Sequence, residues 1–286
     1  MNIAINGFGR IGRQAFKVLA DKYPNEVNVI AINDLTSPEV LAYLLKYDTV
    51  YGIWNHEVTS NEDELIVDGK HIKVLAAKDP TTLPWKDLNI DVVIESTGLF
   101  TNAEGMQKHI DAGAQKVVLS APAKGRGVPT YVLGVNGDKY NGEPLINNAS
   151  CTTNCITPIV EVMDRFFGIE KVMMTTIHSY TASQALHDGP KGKDKREMRA
   201  AAENMVPTTT GAAIATTKVL PQLEGLFDGI SIRVPTPVVS LSDFVFLLKK
   251  DTTEEEVNNA IKSAATEDRY RGILSWTEEE LVSSDF

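Results

Sequence analysis

The sequence has few cysteines, a deficit of positive charge and no long hydrophobic run. Its two cysteines, Cys151 and Cys155, are too few for a disulfide framework and, alone, for a structural zinc site. The formal net charge of -10 counts against a general nucleic-acid-binding protein. No apolar run approaches the roughly 20 residues that span a bilayer, and Gly7 and Gly9 interrupt the N-terminal run where a signal peptide would need its apolar core. These absences predict a protein of the reducing cytoplasm with no metal, membrane or specific nucleic-acid partner.

The first part of the chain alternates short β-rich runs with helical patterns. With 286 residues, 43% hydrophobic and 23% charged, the chain has room for one large or two ordinary globular domains. Continuous apolar strands that alternate with helices predict an α/β fold with a parallel, doubly wound sheet. The predicted strands cover 3–5, 27–32, 91–95 and 116–120, the helices cover 11–19, 39–46 and a segment from about 103, and a hairpin covers 64–75.

The pattern changes after residue 150, where strands and helices no longer alternate regularly. This order predicts an α+β second domain with an antiparallel or mixed sheet, so the expected domains are 1–150 and 151–286. The predicted elements are a helix ending near 167, a strand at 172–177, a long polar segment at 179–201, strands at 230–234 and 238–248, and a helix at 253–264.

Gly7, Gly9 and Gly12 follow the first strand directly and open the first helix. In this context Gly7 permits a tight turn, Gly9 lets a pyrophosphate approach the backbone, and Gly12 allows close packing of helix on strand. Asp34 ends the second strand, where its carboxylate suits a ribose 2′-hydroxyl and repels a 2′-phosphate. The full context favours a Rossmann NAD-binding domain at 1–150 over the alternative, a plain tight turn between strand and helix.

Cys151 stands just before an apolar run at 156–160 that is typical of a helix body. In the first turn of a helix, free backbone N–H groups and the helix dipole stabilise an anion such as a thiolate. The alternative is a small buried hydrophobic residue, the commoner fate of a free cysteine. Taken alone, the motif supports both interpretations equally.

His178 ends a predicted strand and is the candidate base beside such a thiolate. Hydride loss from a cysteine–aldehyde adduct requires a group that takes the proton of its hydroxyl. A histidine with satisfied hydrogen bonds in the core is the alternative. The remaining histidines lack a comparable setting; these are His56, His71, His109 and His187.

Five motifs in order along the chain carry a resemblance to a known family. The chain resembles the phosphorylating, NAD-dependent glyceraldehyde-3-phosphate dehydrogenases over essentially its whole length. The motifs lie at 6–13, 149–155, 178–181, 207–213 and 233–237.

The resemblance implies a role for each matching position. Cys151 is the expected nucleophile and His178 the expected base, in a catalytic domain at 151–286. The expected binding residues for inorganic phosphate are Ser150, Thr152, Thr210 and Gly211, and those for the substrate phosphate are Thr181 and Arg233. Arg196 is expected to join these anion sites from the long polar loop. The expected NAD contacts are Gly7, Gly9, Arg10, Ile11, Gly12, Asp34, Lys78, Thr97 and Ser120.

Plain structural roles compete with several of these assignments. Thr210 and Gly211 also read as a helix cap, and Arg233 also reads as half of an ion pair. The cationic run at 191–199, which contains Arg196, is typical of a solvated face as well as of an anion site. Lys78 stands where the family more often has arginine, and Ile53 where it often has a basic residue; neither change threatens the chemistry.

The implied reaction oxidises glyceraldehyde 3-phosphate with NAD and inorganic phosphate to 1,3-bisphosphoglycerate through a thioester, as in glycolysis and gluconeogenesis. The resemblance also implies a homotetramer. An erythrose-4-phosphate dehydrogenase is a close alternative. An inactive NAD-binding or interaction protein is a more distant one, suggested by a chain that ends at Phe286, short of a C-terminal segment usual in the family.

Overall fold

The computed structural model describes residues 1–192 and 194–286, which form two compact units. The first unit comprises Met1–Thr130 and Tyr140–Ala149, and the second comprises Tyr131–Lys139 and Ser150–Phe286. The sequence-predicted division into 1–150 and 151–286 stays a prediction. The two units differ from it because residues 131–139 and Ser150 group with the second part of the chain.

The first unit alternates strands and helices, as predicted. Its helices are α1 (Arg10–Lys22), α2 (Pro38–Lys46) and α3 (Ala103–Asp111). Its strands are β1 (Asn2–Asn6), β2 (Asn28–Asn33), β3 (Tyr47–Asp48), β4 (Gly52–Ile53), β5 (Val58–Ser60), β6 (Glu64–Val67), β7 (Lys70–Leu75), β8 (Val92–Glu95), β9 (Lys116–Leu119) and β10 (Leu145–Asn147).

One sheet of eight strands runs in the order β10-β9-β8-β1-β2-β7-β6-β5. Neighbours from β10 to β7 are parallel, whereas β7, β6 and β5 pair antiparallel. The predicted parallel, doubly wound sheet is confirmed, with an antiparallel extension at one edge. From β1 the chain moves outward to β2 and later returns to β8 on the other side of β1. The edge between β1 and β8 is therefore a switch point, where such sheets bind ligands.

Successive residues of β1 pack on opposite faces of this sheet. Ile3 and Ile5 join one buried cluster with Phe16 of α1, while Ala4 joins a second cluster with Met106 of α3. Because side chains alternate along a strand, helices must cover both faces of such a sheet. The continuous apolar strands of the sequence reflect this double coverage.

The hairpin predicted at 64–75 is formed by β6 and β7. Asp68 has φ 49° and Gly69 has φ 76°, so both central residues of the turn adopt left-handed conformations. Turns of this type match the twist of two antiparallel strands and favour the Asp-Gly sequence found here. The hairpin forms the antiparallel end of the sheet.

The second unit is α+β with a mixed sheet, as predicted. Its sheet has the order β12-β13-β11-β14, in which β11 is parallel to β13 and antiparallel to β14. Its elements are α4 (Cys151–Phe167), β11 (Ile169–Ser179), β12 (Val206–Thr209), α5 (Ala212–Val219), β13 (Phe227–Val234), β14 (Ser240–Leu248) and α6 (Glu254–Ala265).

Two elements of the second unit were not predicted as such. Strand β12 contains Pro207, which cannot donate a ladder hydrogen bond and so hides the strand in the sequence. Its edge position tolerates that loss. Helix α5 is short and rich in alanine and threonine, so its apolar stripe is weak. The predicted strand at 238–248 begins later, at Ser240, because Val239 has φ 76° and interrupts the extended backbone.

Helices α4, α5 and α6 share one apolar core with the mixed sheet. Ile156 and Val160 of α4 meet Ala213 of α5, Ala264 of α6 and Val172 of β11 in a buried cluster. The three helices are thereby fixed to the mixed sheet. None of the helices in the described chain combines the length and hydropathy that crossing a bilayer requires.

Candidate active site

Cys151 is the first residue of α4, as the sequence predicted. Ser150 caps the helix, and its hydroxyl accepts a hydrogen bond of 3.1 Å from the backbone N–H of Thr153. The helix is 17 residues long, so the positive end of its dipole and its free N–H groups face an anion at this position. The local sequence thus places the thiol where a thiolate is stabilised.

The Cys151 thiol lies against the imidazole of His178. Its sulfur is 3.5 Å from Nε2 of the ring. The hydrogen bond from His178 lowers the pKa of Cys151 to about 7, against an opposing contribution from burial. One helical turn further on, burial instead raises the pKa of the Cys155 thiol. Of these two free thiols, Cys151 is therefore the one prepared to react as a thiolate at neutral pH.

His178 and Arg233 are held together by adjacent parallel strands. They occupy paired positions of β11 and β13. The guanidinium NH1 atom of Arg233 lies 2.8 Å from Nδ1 of His178 and 3.2 Å from the carbonyl oxygen of Ser179. The structure therefore brings Cys151, His178 and Arg233 into one contiguous group.

Nδ1 of His178 has two competing partners. When it carries a proton it donates to the Ser179 carbonyl oxygen, 2.7 Å away, and neutral Nε2 keeps a lone pair that accepts protons. When it carries none it accepts from Arg233, and the ring proton on Nε2 faces the sulfur of Cys151.

The predicted hydroxyl ligands Ser150 and Thr152 flank Cys151. The Ser150 hydroxyl also lies 2.7 Å from the hydroxyl of Thr153, and Thr152 is buried in the first turn of α4. Thr181 follows the end of β11, and its hydroxyl is 3.0 Å from that of Ser183. The structure thus puts two hydroxyl groups next to the nucleophile and a third beyond the strand that carries His178.

Thr210 and Gly211 stand at the start of α5. The Thr210 hydroxyl accepts from the backbone N–H of Ala212 at 3.2 Å, and Gly211 is the N-cap residue. The helix-cap role considered for this motif is therefore present in the geometry. Hydroxyls of Thr157 and Thr216, 3.0 Å apart in the core, tie α5 to α4. The two helices that begin at candidate phosphate ligands are fixed to each other.

Two cations of the loop at 191–199 form ion pairs with nearby carboxylates. Arg196 pairs with Asp194 at 2.6 Å, and Arg199 pairs with Asp188 at 2.7 Å. The contacts described for Arg196 thus tie it to a carboxylate of its own loop. Lys193, which belongs to the same predicted anion-binding run, lies outside the described residues.

The glycine-rich turn of the first unit has the space that a dinucleotide needs. Gly7 has φ 89°, and a Cβ there would lie 2.6 Å from the backbone nitrogen of Thr97. A Cβ on Gly12 would lie 2.2 Å from the Gly7 carbonyl oxygen, so only glycine fits at either position. A Cβ on Gly9 would meet nothing within 4 Å, which leaves that backbone open to a ligand. These glycines fit a bound pyrophosphate at the start of α1.

Asp34 holds this turn in place. One carboxylate oxygen accepts from the backbone N–H of Phe8 at 2.7 Å, and the other accepts from Thr36 at 2.9 Å. Arg10, also an expected NAD contact, pairs with Asp48 at 3.0 Å. The carboxylate predicted to face a ribose therefore has a second role in securing the backbone around Gly9.

The other expected NAD contacts lie near the same edge of the sheet. Ile11 is 57% exposed in the first turn of α1, and Lys78 is exposed after β7. Thr97 follows β8, and Ser120 follows β9, where its hydroxyl donates to the Glu95 carbonyl oxygen at 3.1 Å. Ligands of doubly wound sheets bind at these carboxyl ends of the strands.

Sequence reasoning missed Asp48, the partner of Arg10. Its carboxylate is almost fully enclosed, at 2% exposure, and it also accepts from the backbone N–H groups of Val50 and Tyr51. An aspartate that bonds the backbone two residues on is a turn signal that the sequence does offer. Its pairing with Arg10 is 38 residues distant and has no local signal.

A thiolate–imidazole pair in one unit and a dinucleotide-binding sheet in the other define a class of protein. The class is that of NAD-dependent oxidoreductases that oxidise an aldehyde through a covalent cysteine adduct.

Comparison with known proteins specifies the class further. The family model for the NAD-binding domain of glyceraldehyde 3-phosphate dehydrogenase matches residues 1–103, and the model for its C-terminal domain matches residues 150–286. The chain belongs to the glyceraldehyde-3-phosphate dehydrogenase family, and its cofactor is NAD.

Named relatives agree with the family assignment. A glyceraldehyde-3-phosphate dehydrogenase of Streptomyces coelicolor is 50% identical over 100% of this chain and 84% of its own length. That of Geobacillus stearothermophilus is 51% identical over 100% of this chain and 84% of its own. A chloroplastic glyceraldehyde-3-phosphate dehydrogenase of Arabidopsis thaliana is 51% identical over 100% of this chain and 72% of its own length.

Proposed function

We propose that Cys151 and His178 carry out the phosphorylating oxidation of glyceraldehyde 3-phosphate. The contact of 3.5 Å between Sγ and Nε2 supports this assignment above all, because it joins a nucleophile of lowered pKa to a base. In the first step, the thiolate of Cys151 attacks the aldehyde carbon and forms a thiohemiacetal.

His178 then takes the hydroxyl proton of the thiohemiacetal on Nε2 while a hydride leaves the carbon. NAD, when bound, accepts that hydride. The product on Cys151 is a thioester, which retains the free energy of the oxidation. Inorganic phosphate attacks its carbonyl carbon, the carbon–sulfur bond breaks, and the acyl phosphate 1,3-bisphosphoglycerate leaves the thiolate ready for another cycle.

The residues around Cys151 and His178 are the proposed ligands of the two phosphate groups. Arg233 supports a substrate-phosphate site with Thr181, because its buried Nε atom has no hydrogen-bond partner among the described residues. An anion there satisfies Nε and draws NH1 from His178, which leaves Nδ1 to donate to the Ser179 carbonyl oxygen. Ser150, Thr152, Thr210 and Gly211 are proposed to receive inorganic phosphate at the ends of α4 and α5. Arg196 joins them only after leaving Asp194.

NADH formation, followed by its absorbance, tests the proposal. We expect activity that requires glyceraldehyde 3-phosphate, NAD and inorganic phosphate together. Cys151→Ser should abolish it, whereas Cys155→Ser, at the other thiol of the same helix, should retain most of it. Oxidation that proceeds equally without phosphate, or that survives Cys151→Ser in folded protein, would contradict the mechanism. A higher kcat/KM for erythrose 4-phosphate would reassign the substrate and keep the chemistry.

A homotetramer is proposed for the assembly, supported by one apolar face of the mixed sheet. Met173 and Val245 are opposite each other across β11 and β14. The face that carries Met173 also carries Ile230, Leu241, Val245 and Leu247, all more than half exposed in the single chain, and Asp228 and Asp243 lie among them in register. We call it the apolar sheet face. Exposed apolar side chains accompanied by polar residues are typical of subunit contacts. A reducing compartment such as the cytoplasm is proposed because the Cys151 thiolate must stay unoxidised.

A further inference from the structure

Glu95, at the end of β8, is fully buried and receives hydrogen bonds on both carboxylate oxygens. Oε1 accepts from the backbone N–H of Thr97 at 2.8 Å and from the Thr97 hydroxyl at 2.5 Å. Oε2 accepts from the side-chain amide of Asn6 at 2.5 Å and lies 3.1 Å from Nε2 of His109. Asn6 and His109 are also fully buried. The catalytic steps assigned above use neither Glu95 nor His109.

Trp85 settles the direction of the bond from His109. The indole N–H of Trp85 only donates, and it lies 3.0 Å from Nδ1 of His109. Nδ1 must therefore accept, so the ring carries its proton on Nε2 and donates to Glu95. Asn6 is 3.4 Å from the same Nε2, but its much shorter contact is the one to the carboxylate.

A second group that can only donate determines which atom of the Asn6 amide faces Glu95. The backbone N–H of Ala77 donates to Oδ1 of Asn33 at 2.8 Å, so the Asn33 amide nitrogen points to Oδ1 of Asn6. The Asn6 amide nitrogen is then left to face Glu95. Two chains of hydrogen bonds therefore end in donors to the Glu95 carboxylate. One starts at the Trp85 indole N–H and the other at the Ala77 backbone N–H, and both of these groups can only donate.

An ionised carboxylate is the form of Glu95 that satisfies all of these donors. Burying such a charge is costly, and hydrogen bonds to it compensate only when they are complete. Glutamine has the same shape but must present an N–H group to one of the two sides. It would then face either the Thr97 backbone N–H or the donors of Asn6 and His109.

The residues that Glu95 holds adjoin the glycine-rich turn. Glu95 and Asn6 are paired in register across the switch point between β8 and β1. The Ser96 hydroxyl donates to the Gly7 carbonyl oxygen at 2.7 Å, and a Cβ on Gly7 would collide with the Thr97 backbone. The backbone of Thr97 therefore packs directly against the turn at Gly7.

We infer that Glu95 is a positioning residue for NAD: its buried carboxylate fixes Thr97 and Asn6, and through them the loop and turn that receive the cofactor. The inference rests on the proposed NAD contacts at Gly7 and Thr97. Glu95 itself does not touch the reacting atoms. It acts by holding backbone that the ligand meets.

Titration of NAD into purified Glu95→Gln protein, followed by fluorescence or calorimetry, tests the inference. Hydrogen bonds to a buried charge are strong enough that their mismatch should weaken NAD binding by about tenfold or more. KM for glyceraldehyde 3-phosphate, measured at saturating NAD, should stay within about twofold, because its proposed ligands lie in the other unit. Unchanged NAD affinity in folded Glu95→Gln protein would overturn the inference.

Two further variants keep the result decisive. Thr157→Val removes the buried hydroxyl contact with Thr216 in the second unit, so it should lower the melting temperature without changing NAD affinity. Glu95→Asp keeps the negative charge but retracts the carboxylate by one methylene, and a smaller loss of NAD affinity is expected. If Glu95→Gln does not fold, full NAD affinity in Glu95→Asp overturns the inference.

NAD binding by the unmodified chain distinguishes failure of the proposed NAD site from failure of the role inferred for Glu95. Absent NAD binding by the unmodified chain would reject the cofactor site and the inference with it. Tight binding by the unmodified chain and equally tight binding by Glu95→Gln would reject the role of Glu95 alone.

Discussion

The imidazole of His178 makes the largest contribution to the lowered pKa of the Cys151 thiol. Its hydrogen bond lowers the pKa of Cys151 to about 7, while burial acts in the opposite direction. Because the thiolate is the reacting form, alkylation of Cys151 should accelerate as pH rises and reach its half-maximal rate near pH 7. Below that pH the thiol is protonated, and the rate should fall tenfold for each further pH unit.

Replacing His178 by asparagine should move this midpoint upward. Without the imidazole, the pKa of Cys151 should return toward about 8.5, so alkylation at neutral pH should slow on the order of tenfold. Iodoacetamide labelling across pH, in a Cys155→Ser background so that one thiol is read, measures the shift. An unchanged midpoint would mean that the helix N-terminus, and not His178, lowers the pKa.

At the scale of the element, the strand-to-helix turn before α1 contains a glycine, Gly9, that we expect NAD binding to need and folding not to need. Gly9 has φ -70°, and a Cβ there would meet nothing within 4 Å, so alanine fits without backbone strain. Gly9→Ala should leave thermal stability nearly unchanged but weaken NAD binding on the order of tenfold, because its methyl group occupies the space of the pyrophosphate.

Gly69→Ala is the matched control in the hairpin turn. A Cβ there also meets nothing within 4 Å, but φ is 76°, so alanine should cost about 1 kcal/mol of unfolding free energy through the backbone alone. NAD affinity should be unaffected. Denaturant unfolding and NAD titration of both variants measure the contrast, and a loss of NAD affinity in Gly69→Ala would undermine it.

Elements were predictable where the controlling signals are local. The periodicity of α4 and the position of Cys151 in it, the Asp68-Gly69 turn and the glycine fingerprint are each encoded within a few residues. Helix α6 likewise begins at Glu254, directly after its N-cap residue Thr253, which forms a capping box with Glu256. Strand β12 was hidden because Pro207 is compatible with a strand only at a sheet edge, and edges are not visible in a sequence.

The features that could not be predicted from the sequence are contacts between residues far apart along the chain. Arg233 meets His178 across 55 positions because β11 and β13 pair in one particular register. The resemblance predicted both residues, but the competition of Arg233 and the Ser179 carbonyl oxygen for Nδ1 has no local signature. Glu95 likewise reads as the end of a buried strand, and only the assembled sheet surrounds it with donors.

At the scale of the whole molecule, the apolar sheet face links the single chain to its proposed assembly. Val245 lies in it and is 67% exposed. Val245→Asp should shift the protein from tetramers toward smaller species, because a buried unpaired charge opposes association. Sedimentation velocity measures the shift. Asn258→Asp, which adds the same charge on the exposed side of α6, should leave assembly unchanged, and equal behaviour of both variants would move the contact elsewhere.

The carboxylate of Asp34 has a consequence for the evolution and engineering of coenzyme preference. It is expected to discourage a 2′-phosphate, and it anchors the Phe8 N–H in the glycine-rich turn. A neutral substitution chosen to admit NADP would also release that anchor. We therefore expect coenzyme choice and loop geometry to be inherited together, so that a switch of preference requires a second substitution that supplies a new acceptor for the Phe8 N–H.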